Sequence, residues 1–149
     1  MPWQPDVAAL GDLAEAVTTA FPDDVVAAEI VRDELAIEVQ SVAIRRVLGW
    51  LRDEPSALFQ ELVDLCGVDH PDRPQRFDVV YHLLSLDHNQ RVRVKLATDE
   101  DTPVPSVTSI YPTAGWFERE AWDMYGVLFA DHDDLRRLLT DYGFEGHPL

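Results

Sequence analysis

Two stretches of alternating apolar and polar residues, FDVVYHLLSL (77–86) and RVRVKLA (91–97), constrain the fold of this chain more than any other feature. Side chains of a strand point alternately to its two faces. Phe77, Val79, Tyr81 and Leu83 therefore share one face of the first stretch, and Val92, Val94 and Leu96 share one face of the second. An even-length turn centred on His88 and Asn89 sets residue 83 opposite 94 and 81 opposite 96, which joins the two apolar faces into one sheet surface. The reverse face then carries His82, Leu84 and Leu86 opposite Lys95, Arg93 and Arg91. Basic stems lying over two leucines suit a solvent-facing surface; packing on another element or protein is the second reading.

Helical periodicity surrounds this hairpin. Asp6 is placed to cap a helix in which Leu10, Leu13, Ala14, Val17 and Phe21 recur at helical spacing, and Pro22 ends it. VVAAEIV (25–31) and LAIEV (35–39), on either side of Arg32-Asp33-Glu34, read as a hairpin or two adjacent strands. Ser41 is placed to cap VAIRRVLGWLRD, whose stripe is Ile44, Val47, Leu48 and Leu51 and which Pro55 breaks. Ser56 starts a second short helix through Leu58, Phe59, Leu62, Val63, Leu65 and Cys66, closed by Gly67. DEDTPVP (99–105) is too rich in proline for regular structure, and Val107 and Ile110 fit a short strand ending before Pro112. A helix follows from Pro112 or Thr113 to about Met124, with Gly126 suited to its end. The expected class is α+β: small helices packed on an antiparallel or mixed sheet, in the order helix, strand, strand, helix, three strands, then a C-terminal helix and an extended tail.

A chain of 149 residues is long enough for one domain with its own core, and residues 1–149 are read as a single domain. Residues 127–149 read as a tail that contacts a partner. In that tail Asp134 is placed to cap a short helix bearing Arg136 and Arg137, and Tyr142 and Phe144 flank Gly143 in a segment of little regular propensity. A formal charge of -16, from 28 acidic against 12 basic residues, repels phosphates and anionic lipid, so nucleic acid is not an expected partner. Cys66 is alone, which excludes a disulfide framework and an iron–sulfur cluster held by this chain; within LVDLCGV it reads as a buried thiol. The lone cysteine makes the chain read as cytosolic, and no segment approaches the roughly 20 apolar residues that a membrane span needs, so any membrane association would arise through a partner.

The richest chemistry lies in PTAGWFEREAWDMYG (112–126). Helical spacing puts Phe117, Ala121 and Met124 on an apolar face with Trp122 and Tyr125 on its shoulder, and lets Arg119 pair with Asp123. Glu118 and Glu120 are two apart and diverge, which argues against a facing acid/base dyad. Glu120 and Asp123 can meet, and adding His132 gives a conceivable three-ligand metal set, although no recognised ligand spacing supports it. Asp69, His70 and Asp72 form a second possible set, opposed by the two arginines in the same loop. His147, in GHP, reads as a loop residue. Catalysis, metal binding and docking all remain open on the residues alone, with docking favoured because charged groups among aromatic ones are common at interfaces.

YHLLSL, NQRVRVK, EDTPVPSVTSIYPTAGWFEREAWDMYGVLF and DLRRLLTDYGFEGHPL, in this order, closely resemble the C-subunit family of proton-pumping NADH:quinone oxidoreductase, respiratory complex I. The resemblance is strongest over 77–149, and relatives of this family also occur in plastid-type dehydrogenases and membrane-bound hydrogenases. It implies a member of the hydrophilic peripheral arm that holds no flavin, cluster or quinone and is not catalytic alone. FMN and iron–sulfur clusters would belong to partner subunits. The implied neighbours are the quinone-pocket subunit and the subunit that holds the terminal cluster, and the implied location is the cytoplasmic side of the bacterial inner membrane. The family signature falls on Glu118, Arg119, Glu120, Asp123, Met124, Tyr125 and Gly126, continuing through His132, Arg136, Arg137, Tyr142 and His147 as interface residues. Two departures stand out: Asp133 occupies the place of a proline after the histidine, and family members usually continue past HPL with a basic and aromatic extension.

Overall fold

The computed structural model describes residues 6–130. Helix α1 (Val7–Ala20) begins where Asp6 Oδ1 accepts the Ala9 amide at 3.0 Å, and it turns Leu10, Leu13 and Val17 inward. Strands β1 (Val25–Val31) and β2 (Glu34–Val39) pair antiparallel around Arg32 and Asp33, both in the left-handed region with φ of 52° and 64°. Two positive-φ residues match the right-handed twist of the strands they join, which explains why so short a turn closes this hairpin. A single 3₁₀ turn (Ser41–Ala43) leads into α2 (Ile44–Asp53), whose buried residues are Ile44, Val47, Leu48 and Leu51.

Strands β3 (Glu61–Asp69), β4 (Phe77–Ser85) and β5 (Gln90–Thr98) form an antiparallel meander. Strand β5 also pairs in parallel with β2, giving a five-stranded mixed sheet of order β1-β2-β5-β4-β3. Helix α3 (Ala114–Tyr125) packs on β3, and α1 packs on β1 and β2. A separate parallel pair joins β6 (Val104–Pro105) to β7 (Phe129–Ala130). Leu35, Ile37, Val79, Tyr81, Leu83, Val94 and Leu96 are each at most 1% exposed and form the sheet's contribution to a core shared with the helices. Burying each of the larger apolar side chains is favourable by about 1.5–3 kcal/mol relative to leaving it in water.

The α+β class and the order of elements are those expected, but several local assignments change. Residues 61–69 are a strand rather than a helix. The bulge between Leu62 and Asp64 inserts Val63 into β3, so Leu62 and Leu65 are both buried three residues apart, a spacing that imitates a helical stripe. Val107 to Tyr111 form a turn rather than a strand, with Val107 O accepting from the amides of Ile110 and Tyr111 at 3.0 and 2.9 Å. Despite its proline, Val104–Pro105 pairs in β6. The β4–β5 register is Tyr81 opposite Val94 and Leu83 opposite Val92. The turn centre lies one residue earlier than expected, which shifts the pairing by two and leaves every side chain on its expected face. Ser41 makes no cap bond, and Cys66 is half-buried on the open face of the sheet rather than enclosed.

Candidate functional site

Helix α3 starts after Thr113 and ends at Gly126, whose φ of 82° and amide bond to Trp122 O at 3.0 Å close it in the left-handed conformation that glycine adopts without strain. Its buried face is Ala114, Glu118, Ala121 and Trp122, a rotation from the expected stripe. Phe117 and Tyr125 are half-buried, while Met124 is 48% exposed and Trp116 65% exposed. The displaced stripe has a specific cause: a carboxylate, not an apolar group, occupies the middle of the buried face.

Glu118 is fully buried. Its Oε1 accepts from the Ser106 hydroxyl at 2.7 Å and its Oε2 from the Val107 amide at 2.8 Å. Charge-assisted bonds of this kind meet the requirement that a buried carboxylate be satisfied, and here they tie the segment entering α3 back to the helix's own midpoint. Two arginines from α2 grip the same segment from the other side. Arg45 Nε donates to Ser106 O at 2.7 Å and its guanidinium reaches Ala130 O at 3.5 Å. Arg52 donates to Ile110 O at 3.1 Å while its other nitrogens hold Asp53 at 2.8 and 2.9 Å. The Tyr111 hydroxyl completes the clamp by donating to Phe59 O. Burial raises the Tyr111 phenol well above its ordinary pKa despite the nearby Arg52, and burial together with the Glu118 carboxylate does the same for Tyr81.

Outside this clamp, Tyr125 lies against Gly67 of β3, where an added Cβ would sit 3.0 Å from the ring. Beside the end of α3, a hollow of about 520 Å³ is lined by Asp69, Arg76, Glu100, Asp101, Tyr125 and Gly126. Arg76 holds Asp69 through two bonds of 2.7 and 2.9 Å and Glu100 through one of 2.6 Å. His70 instead faces Asp78 at 3.2 Å, so Asp69 and His70 are drawn to different partners and do not converge as a ligand set.

The expected signature residues thus divide by environment. Glu118 is internal and Gly126 is a helix terminator. Arg119 and Asp123 approach to 4.0 Å with side chains 43% and 48% exposed, and Glu120 is exposed. Trp116, Glu120 and Met124 recur every four residues and line the outward side of the helix. His132, Arg136, Arg137, Tyr142 and His147 lie outside the described residues. Arg45, Arg52, Ser106 and Tyr111 did not stand out as site residues. The available signal was Arg45 and Arg52, seven apart and therefore on one edge of α2, but their partners are backbone carbonyls that no side-chain pattern reveals.

Such a helix, locked from beneath and bearing an aromatic and a thioether outward, offers contact area rather than a pair of reactive groups. The NADH-quinone oxidoreductase C subunit of Paramagnetospirillum magneticum is 63% identical over 142 residues, covering 95% of this chain and 71% of that protein. The protein of the same name from Maricaulis maris is 57% identical over 141 residues, covering 95% and 70%. A chain in the structure of the membrane-bound sulfane sulfur reductase, an archaeal respiratory membrane complex, shares the fold with a TM-score of 0.70 at 21% identity, covering 91% of this chain and 92% of that one. Residues 37–149 match the family described as respiratory-chain NADH dehydrogenase, 30 Kd subunit, and the chain belongs to that family.

Proposed function

We propose that this chain is a structural member of the peripheral arm of an NADH:quinone oxidoreductase, bringing no flavin, iron–sulfur cluster or quinone of its own. Its contacts would be with the subunit that shapes the quinone pocket and the subunit that holds the terminal cluster, on the cytoplasmic side of a bacterial inner membrane. The whole assembly, through those partners, passes electrons from NADH to quinone and couples this to proton translocation. The observation that carries the reading is the alignment of nearly the whole chain with an NADH-quinone oxidoreductase C subunit at 63% identity.

The site supports a docking role. Trp116 and Met124, exposed on a helix that is locked from beneath, offer apolar contact area, and such residue types are enriched at interface cores. Glu118, the most enclosed carboxylate of the signature, is engaged by Ser106 and Val107, which argues against its use as an acid or base toward substrate. Among the described residues no helix is long and apolar enough to cross a membrane, in keeping with attachment through other subunits.

The test is affinity purification of the tagged chain from detergent-solubilised native membranes, with the partners identified by mass. Recovery of flavin- and cluster-bearing subunits with NADH:quinone reductase activity is expected. A reproducible partner set without a redox protein sinks the reading.

A further inference from the structure

We propose that Asp64, Cys66 and His82 form a site for a thiophilic divalent cation of the zinc type on the open face of the sheet. The proposal does not depend on the assembly role given above. One ligand atom from each of the three, a carboxylate oxygen, the thiol sulfur and an imidazole nitrogen, lies within 4.8 Å of the other two. Around a tetrahedral ion with bonds of about 2.0–2.3 Å, ligand atoms stand roughly 3.3–3.8 Å apart, so closure needs inward movements of about 1 Å, within the reach of small torsional changes.

The backbone explains the convergence. Asp64 and Cys66 are two apart on β3 and point to one face, and His82 on β4 is the cross-strand partner of Asp64. The bulge at Val63 sets that phase: with Val63 in regular alternation after the buried Leu62, Asp64 and Cys66 would turn toward the core. Oxygen, sulfur and nitrogen donors in one set match zinc, whereas calcium and magnesium prefer oxygen alone. Three protein ligands leave a fourth position. Beside them lies a cavity of about 330 Å³, to whose wall Asp64, His82, Glu34, Val63 and Leu84 contribute, with room for water or a small anion to complete the shell.

Charge acts in both directions. Asp64 and Glu34 favour a cation, while Arg91 in the cavity wall and Arg93, opposite His82 and bonded to Glu34 at 3.2 Å, oppose one. Burial and Asp64 hold the Cys66 thiol above its usual pKa, with Arg93 partly offsetting them. Binding as a thiolate releases the thiol proton to solvent.

The purified, metal-free 149-residue chain would be titrated with Co²⁺ and then with Zn²⁺. One Co²⁺ per chain is expected, with a near-ultraviolet thiolate-to-cobalt charge-transfer band that Zn²⁺ abolishes and that strengthens as pH rises. Cys66→Ser removes the band, and His82→Gln and Asp64→Asn weaken Zn²⁺ binding at least about tenfold. His132→Gln with His147→Gln leaves both signals in place. Circular dichroism of the metal-free variants checks that they fold. In the unsubstituted chain, Zn²⁺ should also slow alkylation of Cys66 by iodoacetamide. Co²⁺ binding without the band, Zn²⁺ binding that survives Cys66→Ser and His82→Gln, or unprotected alkylation at saturating Zn²⁺ overturns the proposal.

Discussion

The Val107 amide donates to the Glu118 carboxylate across 2.8 Å inside the core, so the loop that delivers the chain to α3 is fastened to the middle of that helix. Removing the carboxylate strands the buried Val107 amide at about 1–3 kcal/mol, while the Ser106 hydroxyl can turn to Thr108 Oγ1, 3.0 Å away. Glu118→Ala should therefore lower unfolding free energy by roughly 1–3 kcal/mol. Glu118→Gln, which keeps an acceptor, should lose less. Denaturant midpoints of the two variants check the order; equal midpoints close to the parent's would show that the clamp contributes nothing.

Arg119 gives the opposite expectation. Its 4.0 Å approach to Asp123, with both side chains more than two-fifths exposed, is a screened surface pair. Arg119→Ala should change isolated-chain stability by no more than a few tenths of a kcal/mol. Its effect should instead appear as reduced recovery of the assembled complex, with turnover per intact complex unchanged. A hundredfold loss of turnover in fully assembled, cluster-complete enzyme would move the helix from docking to chemistry.

Val94 and Arg93 are neighbours on opposite faces of β5. Val94 is enclosed, and Val94→Ala should cost about 1–3 kcal/mol through lost burial and an incompletely collapsed cavity. Arg93→Ala removes a partly exposed guanidinium paired with Glu34 and should cost clearly less. Urea midpoints compare them; a larger loss at Arg93 would reverse the assignment of the two faces.

The alkaline limb of stability should belong to Tyr81 and Tyr111, whose phenols are held above the ordinary value of 10.0 by burial. Raised folded-state values mean that the folded chain retains protons the unfolded chain releases. Their contribution is intact below pH 10 and declines above it, at about 1.4 kcal/mol per pH unit for each, until the folded values are reached or the chain unfolds. In an ultraviolet titration, Tyr81→Phe and Tyr111→Phe should remove only late absorbance that appears together with loss of the near-ultraviolet circular dichroism. Reversible ionisation of either phenol near pH 10 in the folded protein would contradict this.

Alternation made β2, β4 and β5 legible in the sequence because each has one fully buried apolar face, and Asp6 and Gly126 marked helix ends through backbone requirements that few residues meet. Strand β3 was hidden because its bulge breaks the period of two at Val63. The buried face of α3 is not legible in the sequence because Glu118 is a polar residue, and polarity alone does not show that a carboxylate has internal donors waiting. The Asp64, Cys66 and His82 cluster depends on a β3–β4 register, and a segment read as a helix had no register to offer. The interface residues beyond Ala130 rest on family resemblance.

The parallel seam between β2 and β5 brings together two hairpin systems far apart along the chain. The β1–β2 hairpin and the β3–β4–β5 meander each close through nearby residues, whereas the pairs Leu35–Val92 and Ile37–Val94 span all of α2, β3 and β4. Loop closure over that span makes the seam entropically more demanding than either local hairpin. Mechanically, β5 is a keel, hydrogen-bonded on both edges to halves of the molecule that otherwise meet through side chains. Force or a nascent-chain pause that keeps β5 from docking leaves two half-sheets with raw edges, a state open to pairing with other chains.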